Sequence, residues 1–225
     1  MTSPAKFLPE NVTARGRDQI AARIAQDIPE GWFVNLGIGV PTLIANHVPE
    51  GREVIFHSEN GILGVGEAPA EGEIQPWLVN AGKQHVTLVD GGSYFHHADS
   101  FSMIRGAHLD LCVLGAYEVA SNGDIANWIT LDRTKAPAVG GAMDLAAGAR
   151  RLWVATDHLT RDGVSKLVAN CTYPLTAPGQ VQRIYTDLAV IDVTEDGFLV
   201  TEMVDGLTFD VLQDLTNAPL KWVAE

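Results

Sequence analysis

The run Phe56-His57-Ser58-Glu59-Asn60-Gly61-Ile62-Leu63-Gly64-Val65-Gly66 holds residue types from which chemistry can be built. Just before it, Glu53-Val54-Ile55-Phe56 is β-branched and aromatic, the pattern of a buried strand. Glu59 then stands just past the C-terminal end of that strand, where open α/β sheets build their sites. Water is scarce there, so the carboxylate is either paired or chemically active. The structural alternative is an acid that caps a turn. Gly61, Gly64 and Gly66 fall within six residues, which predicts a sharp turn and bare backbone that a ligand can approach.

Other elements must hold that stretch in place. Ile20, Ile24 and Ile28 recur every four residues and predict an amphipathic helix over 18–27, ended by Pro29-Glu30-Gly31. Trp32-Phe33-Val34-Asn35-Leu36 predicts a strand buried on both faces apart from Asn35. Gly37-Ile38-Gly39-Val40-Pro41 is a glycine turn, and Pro41 suits the first position of a short helix through Asn46. Gly37 and Gly39 permit two readings, a tight strand-to-helix turn or a backbone cradle for a ligand's phosphate. The third glycine of a dinucleotide fingerprint is out of register, which excludes NAD.

Further along, 67–76 reads as a surface loop and 85–89 as a strand ended by a turn at Asp90-Gly91-Gly92-Ser93. His96 and His97 are adjacent, point in different directions and chelate one ion poorly, so no metal is expected. Residues 101–106 predict a helix stopped by Gly106, with Arg105 either pairing with Asp99 or receiving a substrate carboxylate. A strand over 109–115 and an Asn122-Gly123 hairpin returning over 125–129 follow. Residues 133–137 form a connector with local positive charge, and Gly140-Gly141 leads into a short helix. A strand over 151–156 precedes a hairpin of 188–193 and 198–203 around Glu195-Asp196-Gly197, and Thr208 caps a closing helix to 215. Strands alternating with short helices predict an α/β fold, and the C-terminal hairpin makes its sheet open and mixed, mainly parallel with flanking helices.

Composition narrows the function. The 225 residues suit one domain over 1–225, with 1–11 as a flexible arm. A formal charge of −13 makes nucleic acid a poor partner and obliges any anionic ligand to meet local cations, backbone dipoles or a partner's charges. With only Cys112 and Cys171 present, a disulfide framework is not expected, and Cys112 reads as a core thiol. No signal peptide and no run of ~18 apolar residues is visible, so a cytoplasmic address and no membrane contact are expected.

The same stretches carry a resemblance. Ser58-Glu59-Asn60-Gly61 with Ile62-Leu63-Gly64-Val65-Gly66 resembles the catalytic motif of the 3-oxoacid CoA-transferases, in their B (β) subunit. Asn35-Leu36-Gly37-Ile38-Gly39, Asn80-Ala81-Gly82-Lys83, Ala98-Asp99-Ser100-Phe101-Ser102-Met103-Ile104-Arg105-Gly106 and Gly140-Gly141-Ala142-Met143-Asp144-Leu145 are similar to that family too, in the family's order. The likeness runs from Asp18 to Pro219. Within the family, 82–87 and 96–101 look most like the 3-oxoadipate version, with acetoacetate the competing acceptor.

The resemblance implies a CoA-transferase-like fold and CoA transfer from succinyl-CoA to a 3-oxoacid. Glu59 matches the family's nucleophile and carries a glutamyl-CoA thioester in a ping-pong cycle. Gly140 matches the backbone donor at the oxyanion. Asn35 and Lys83 match positions that contact CoA, and Gly37 and Gly39 would be its pantetheine or phosphate cradle. No cofactor is bound permanently, because the CoA thioester is substrate. The partner is an A (α) subunit, absent from this chain, in a hetero-oligomer such as α2β2. Each residue keeps a structural alternative: a turn-stabilising Asn35, a solvated Lys83, a helix-entry Gly140. The competing functions are an acyl-CoA hydrolase on the same fold and a non-catalytic subunit.

Overall fold

The computed structural model describes Pro4–Trp222 except Asp132, Arg133, Lys135 and Ala138. The expected cationic connector thus lies partly outside the described residues, as do the first three residues of the expected arm.

Helix α1 (Arg17–Asp27) forms where the four-residue isoleucine spacing places it, with Ile20, Ala21, Ile24 and Ala25 buried. Gln19 Oε1 accepts from the Gly16 N–H at 2.7 Å, and Arg52 Nη1 donates to the carbonyls of Ala25, Gln26 and Ile28 at 3.2, 3.0 and 2.9 Å. Both ends of the helix therefore find partners for backbone groups that the helix itself leaves open. Truncating fully buried Ile24 to Ala would cost roughly 2–5 kcal/mol.

The remaining elements are a short 3-10 turn (Pro4–Phe7) within the expected arm, β1 (Phe33–Leu36), a 3-10 helix (Val40–His47), β2 (Ile55–Ser58), β3 (Ile62–Val65), β4 (Leu88–Tyr94), α2 (His97–Arg105), β5 (Leu111–Leu114), β6 (Glu118–Ala120), β7 (Ile125–Ala126), α3 (Ala142–Gly148), β8 (Leu152–Ala155), β9 (Leu167–Val168), β10 (Val181–Tyr185), β11 (Ala189–Thr194), β12 (Gly197–Met203), α4 (Phe209–Asp214) and β13 (Leu220–Trp222). Ten strands form one sheet in the order β13-β12-β11-β10-β8-β5-β1-β2-β3-β4. Its centre, β10-β8-β5-β1-β2, is parallel, and antiparallel hairpins flank it. A smaller sheet, β7-β6-β9, packs on the same core through Val119, Ile125 and Leu167.

Alternation along the central strands divides the core between two faces. Leu111 and Val113 of β5 join the isoleucines of α1, while Cys112 and Leu114 join Ile104 of α2 and Leu145 of α3. The C-terminal ends of β2, β1, β5 and β8 consequently share one edge, and the turn bearing Glu59 leaves from it.

Three local expectations are corrected. The 90–93 segment is no turn: β4 runs through it and pairs with β3. Its glycines serve a register shift instead, because a Cβ on Gly64 would lie 2.9 Å from the Gly92 Cα. Likewise the glycines after Glu59 pack against the chain before, within and just after β4, at Thr87, Gly92 and Phe95, and Ile62–Val65 is extended. In β1 the exposure is reversed, since Asn35 is fully buried and Phe33 is 37% exposed.

Candidate functional site

The turn after β2 presents Glu59. The Gly61 N–H donates to the Ser58 carbonyl at 2.9 Å, and Gly61 has a φ of +111°. A Cβ at Gly61 would fall 2.2 Å from the Phe95 carbonyl oxygen, so the turn requires glycine there. Asn60 Nδ2 donates to the Val79 carbonyl at 2.8 Å, and the Ala81 N–H donates to Ser58 Oγ at 2.9 Å. Two loops are thereby tied together beside the half-buried Glu59 side chain.

Parallel pairing sets Asn35 of β1 beside His57 of β2. From there Asn35 Nδ2 lies 3.1 Å from Glu59 Oε2, 3.1 Å from His57 Nδ1 and 3.2 Å from the His57 carbonyl oxygen. Its two hydrogens are shared among three acceptors, and donation to Nδ1 assigns the His57 proton to Nε2. That Nε2–H donates to the fully buried Ser100 Oγ of α2, 2.9 Å away. Burial pushes the His57 pKa down to about 4, so the ring is neutral at pH 7. On the other side, Cys112 Sγ lies 3.9 Å from Asn35 Oδ1. Burial, reinforced by the Glu59 charge, pushes its thiol well up and keeps the hydrogen on sulfur. Ser100, His57, Asn35 and Cys112 thus form a neutral polar support ending at one carboxylate.

Glu59 faces a cavity of about 730 Å³. Gly37, Ile38, Ala81, Gly140 and Gly141 share its wall, and Thr156, Asp157, Lys166 and Arg17 line it further along the strand ends. A smaller cavity of about 130 Å³ lies against Phe56, His57 and Ser58 and has no acid in its lining.

The candidate residues divide by position. Glu59, Gly37 and Gly140 line the large cavity, and Asn35 supports Glu59 from beneath. Gly37 and Gly39 differ: a Cβ on Gly37 would press on the Val113 carbonyl at 3.1 Å, whereas Gly39, at φ +102°, has nothing within 4 Å. The first is a tight turn against β5, and the second is open backbone ahead of the 3-10 helix. Gly140 has a φ of +49° and equally open space. Lys83 is exposed, left-handed at φ +63°, and closes the 80–83 turn through its N–H to the Asn80 carbonyl at 2.9 Å. It does not line the cavity, although Ala81 of the same turn does.

Arg105 does not pair with Asp99 and does not line the large cavity. Its Nε and Nη2 grip Asp144 Oδ1 and Oδ2 at 2.7 and 3.1 Å, tying α2 to α3. Asp99 lies six positions earlier on the same helix and faces another side. Cys112 and Lys166 lie in no motif that marks a site, and His57 and Ser100 lie in stretches that carry the resemblance without being assigned a role by it. His57 is two positions from Glu59, but its role depends on strand register, which no local pattern displays. Among the described residues no group of three or more His, Cys, Asp or Glu is placed to hold a metal ion. No helix among them is long and apolar enough to cross a membrane.

Known proteins share this sequence pattern. The family described as coenzyme A transferase matches residues 17–214. A protein of Acinetobacter baylyi, named as the B subunit of 3-oxoadipate CoA-transferase, is 58% identical over 204 residues, covering 91% of this chain and 94% of that protein. One of Helicobacter pylori, named as the B subunit of succinyl-CoA:3-ketoacid coenzyme A transferase, is 45% identical, covering 90% and 97%. Among solved structures, an acyl-CoA transferase of Escherichia coli O157:H7 has a TM-score of 0.72 at 17% identity. The match covers 96% of this chain and 43% of that longer one, a likeness of fold alone.

Proposed function

The chain belongs to the coenzyme A transferase family, and on that premise we propose that it is the B (β) half of a two-subunit CoA-transferase. It moves CoA from succinyl-CoA to a 3-oxoacid, with 3-oxoadipate as the favoured acceptor. Its partner is an A (α) subunit in a hetero-oligomer such as α2β2, placed in the cytoplasm, where CoA thioesters are metabolised. The observation that carries the proposal is the Glu59 carboxylate, held by Asn35 Nδ2 at 3.1 Å on the wall of a cavity that Gly140 also lines.

Transfer between two acids needs a group that keeps the activated acyl bond from water. The Glu59 carboxylate attacks the thioester carbonyl of succinyl-CoA; the C–S bond breaks, leaving a mixed anhydride and CoA thiolate. The thiolate then attacks the glutamyl carbonyl, and succinate leaves with its oxygen. A glutamyl-CoA thioester remains, and the acceptor acid reverses both steps. Each tetrahedral stage develops an oxyanion, for which the backbone of Gly140 is the proposed donor, typically worth about 3–4 kcal/mol. Asn35 aims the carboxylate. The neutral His57–Ser100 pair and the Cys112 thiol keep Asn35 from rotating away, without adding a charge that would compete for Glu59.

CoA binds with the reacting sulfur at Glu59 and its chain along Ile38, Gly39 and the 80–83 turn, with Lys83 outside to meet a phosphate. Binding far from the reacting carbon would then supply energy to the chemical step. The favoured acceptor is supported by the higher identity to the 3-oxoadipate relative than to the 3-ketoacid one, 58% against 45%.

Acceptor dependence tests the proposal. With the α subunit and succinyl-CoA, CoA ester should pass to 3-oxoadipate and little should be lost without acceptor. Equal consumption of succinyl-CoA with and without acceptor would make the protein a hydrolase instead.

A further inference from the structure

The large cavity continues past Gly37 and Gly115 to Thr156, Asp157, Lys166 and Arg17. Lys166 is half-buried, and Nζ donates to Thr156 Oγ1 at 2.9 Å. The Thr156 hydroxyl in turn donates to the Ala116 carbonyl at 3.2 Å, which fixes the ammonium beside the ends of β5 and β8. Among the described residues neither Lys166 nor Arg17 takes part in an ion pair. Other arginines here find carboxylates readily: Arg15, Arg23, Arg105, Arg150 and Arg183 are all paired. Burial, with Arg17 nearby, lowers the Lys166 pKa, while Asp157 and Asp187 oppose that shift. A desolvated cation of this kind is stabilised when an anion arrives.

We propose that Lys166, assisted by Arg17, receives the distal carboxylate of the dicarboxylic acyl group whose thioester end reacts at Glu59. The proposal rests on the CoA-transferase function given above and names what that site selects. Glu59 follows β2, and the Lys166 ammonium lies by the ends of β5 and β8, two to three strands away in the order β8-β5-β1-β2. At 4.7–4.9 Å per strand that is roughly 10–14 Å. The Glu59 side chain takes up part of this gap. A diacid of four to six carbons, ~5–7 Å long when extended, spans most of the rest. Lys83 stands on the β2 side of the cavity, away from this cation pair, which leaves the β8 side to the acid. Arg17 and Lys166 place two cations on that wall within a chain of −13, opposed by Asp157 beside them and Asp187 behind them.

The experiment uses the complex with the α subunit and compares kcat/KM for succinyl-CoA and butyryl-CoA, acyl groups of equal carbon number that differ by one carboxylate. Lys166→Met should lower the succinyl-to-butyryl ratio by about 10- to 100-fold, the worth of a hydrogen bond to a charged group. Lys166→Arg should keep most of the ratio. Arg17→Gln, on the exposed start of α1, should lower it several-fold and decides the matter where Lys166→Met does not assemble. Equal losses for both acyl-CoAs would mean that the cations read a phosphate of CoA, and an unchanged ratio would mean that they read nothing. Either result overturns the proposal. Failure of the function itself is distinguishable, because the wild-type complex would then transfer CoA from neither donor.

Discussion

Two buried histidines sit at the same edge of the large sheet and are held in the same way. His57 has Ser100 Oγ at 2.9 Å from Nε2, and His158 has Thr216 Oγ1 at 2.9 Å from Nε2 and Thr186 Oγ1 at 3.3 Å from Nδ1. Burial pushes both pKa values down to about 4. Beyond the rings the two regions part. The His57 network passes through Asn35 and ends on Glu59, a carboxylate open to the cavity. The His158 network stays inside the core: the His158 backbone N–H donates to Asp187 Oδ1 at 2.7 Å, and Asp187 is 2% exposed. Burial pushes that carboxyl up to about 6, and its second oxygen has no hydrogen-bond partner. A neutral histidine is therefore a device for fixing backbone and side chains at strand ends. It becomes part of a site only where the network it anchors leaves one charged atom uncovered.

The comparison breaks first at Glu59. Glu59→Ala should reduce CoA transfer by at least ~10⁴-fold, since loss of a nucleophile removes the covalent route. The complex should still assemble, as judged by size-exclusion chromatography, because the side chain is only half-buried. Next, Asn35→Ala should lower kcat by about 10²–10³-fold, the scale of one oriented polar donor. Its thermal midpoint should also fall, because His57 Nδ1 loses a partner in the core. On the other side, His158→Ala should cost about 2–4 kcal/mol in denaturant unfolding, through a void and orphaned threonines, and leave the transfer rate unchanged. A large rate effect there would erase the distinction between the two regions.

Acid should expose what the regions share. Both histidines have folded pKa values below the ordinary 6.5, so each contributes stability that is complete above pH 6.5 and lost as pH falls toward 4. Asp187 acts oppositely: its raised pKa contributes stability present below 3.8 and lost as pH rises through about 6. Two histidines against one aspartate leave a net fall on the order of 4 kcal/mol between pH 6.5 and 4, readable by urea unfolding. Asp187→Asn should remove the offset and steepen the fall.

How much of this is legible in the chain depends on the range of the interactions. Glu59 after a buried strand, the α1 isoleucines and the Thr208 cap are local patterns, and they stand where expected; Thr208 Oγ1 accepts from the Val211 N–H at 3.4 Å. Resemblance points to Asn35, Lys83 and Gly140, but whether Asn35 faces core or solvent follows from its pairing with β2 and β5. Gly91 and Gly92 read as a turn because glycine in a bulge and glycine in a turn look alike until the facing strand, here with Gly64, is known. Arg105 has a plausible partner in Asp99 nearby, whereas its actual partner, Asp144, lies 39 residues away. Lys166 reaches the cavity by a loop that no periodicity marks, and β9 and β13 are too short, at 2 and 3 residues, to show a pattern.

The central claim is that one side chain carries the coenzyme midway through the cycle. Incubating the complex with succinyl-CoA, reducing with borohydride and mapping peptides by mass tests it most directly. Reduction of the Glu59 side chain to its alcohol, dependent on succinyl-CoA and prevented by excess acceptor acid, is the predicted result. Full turnover with a Glu59 peptide that remains unmodified at every quench time would contradict it.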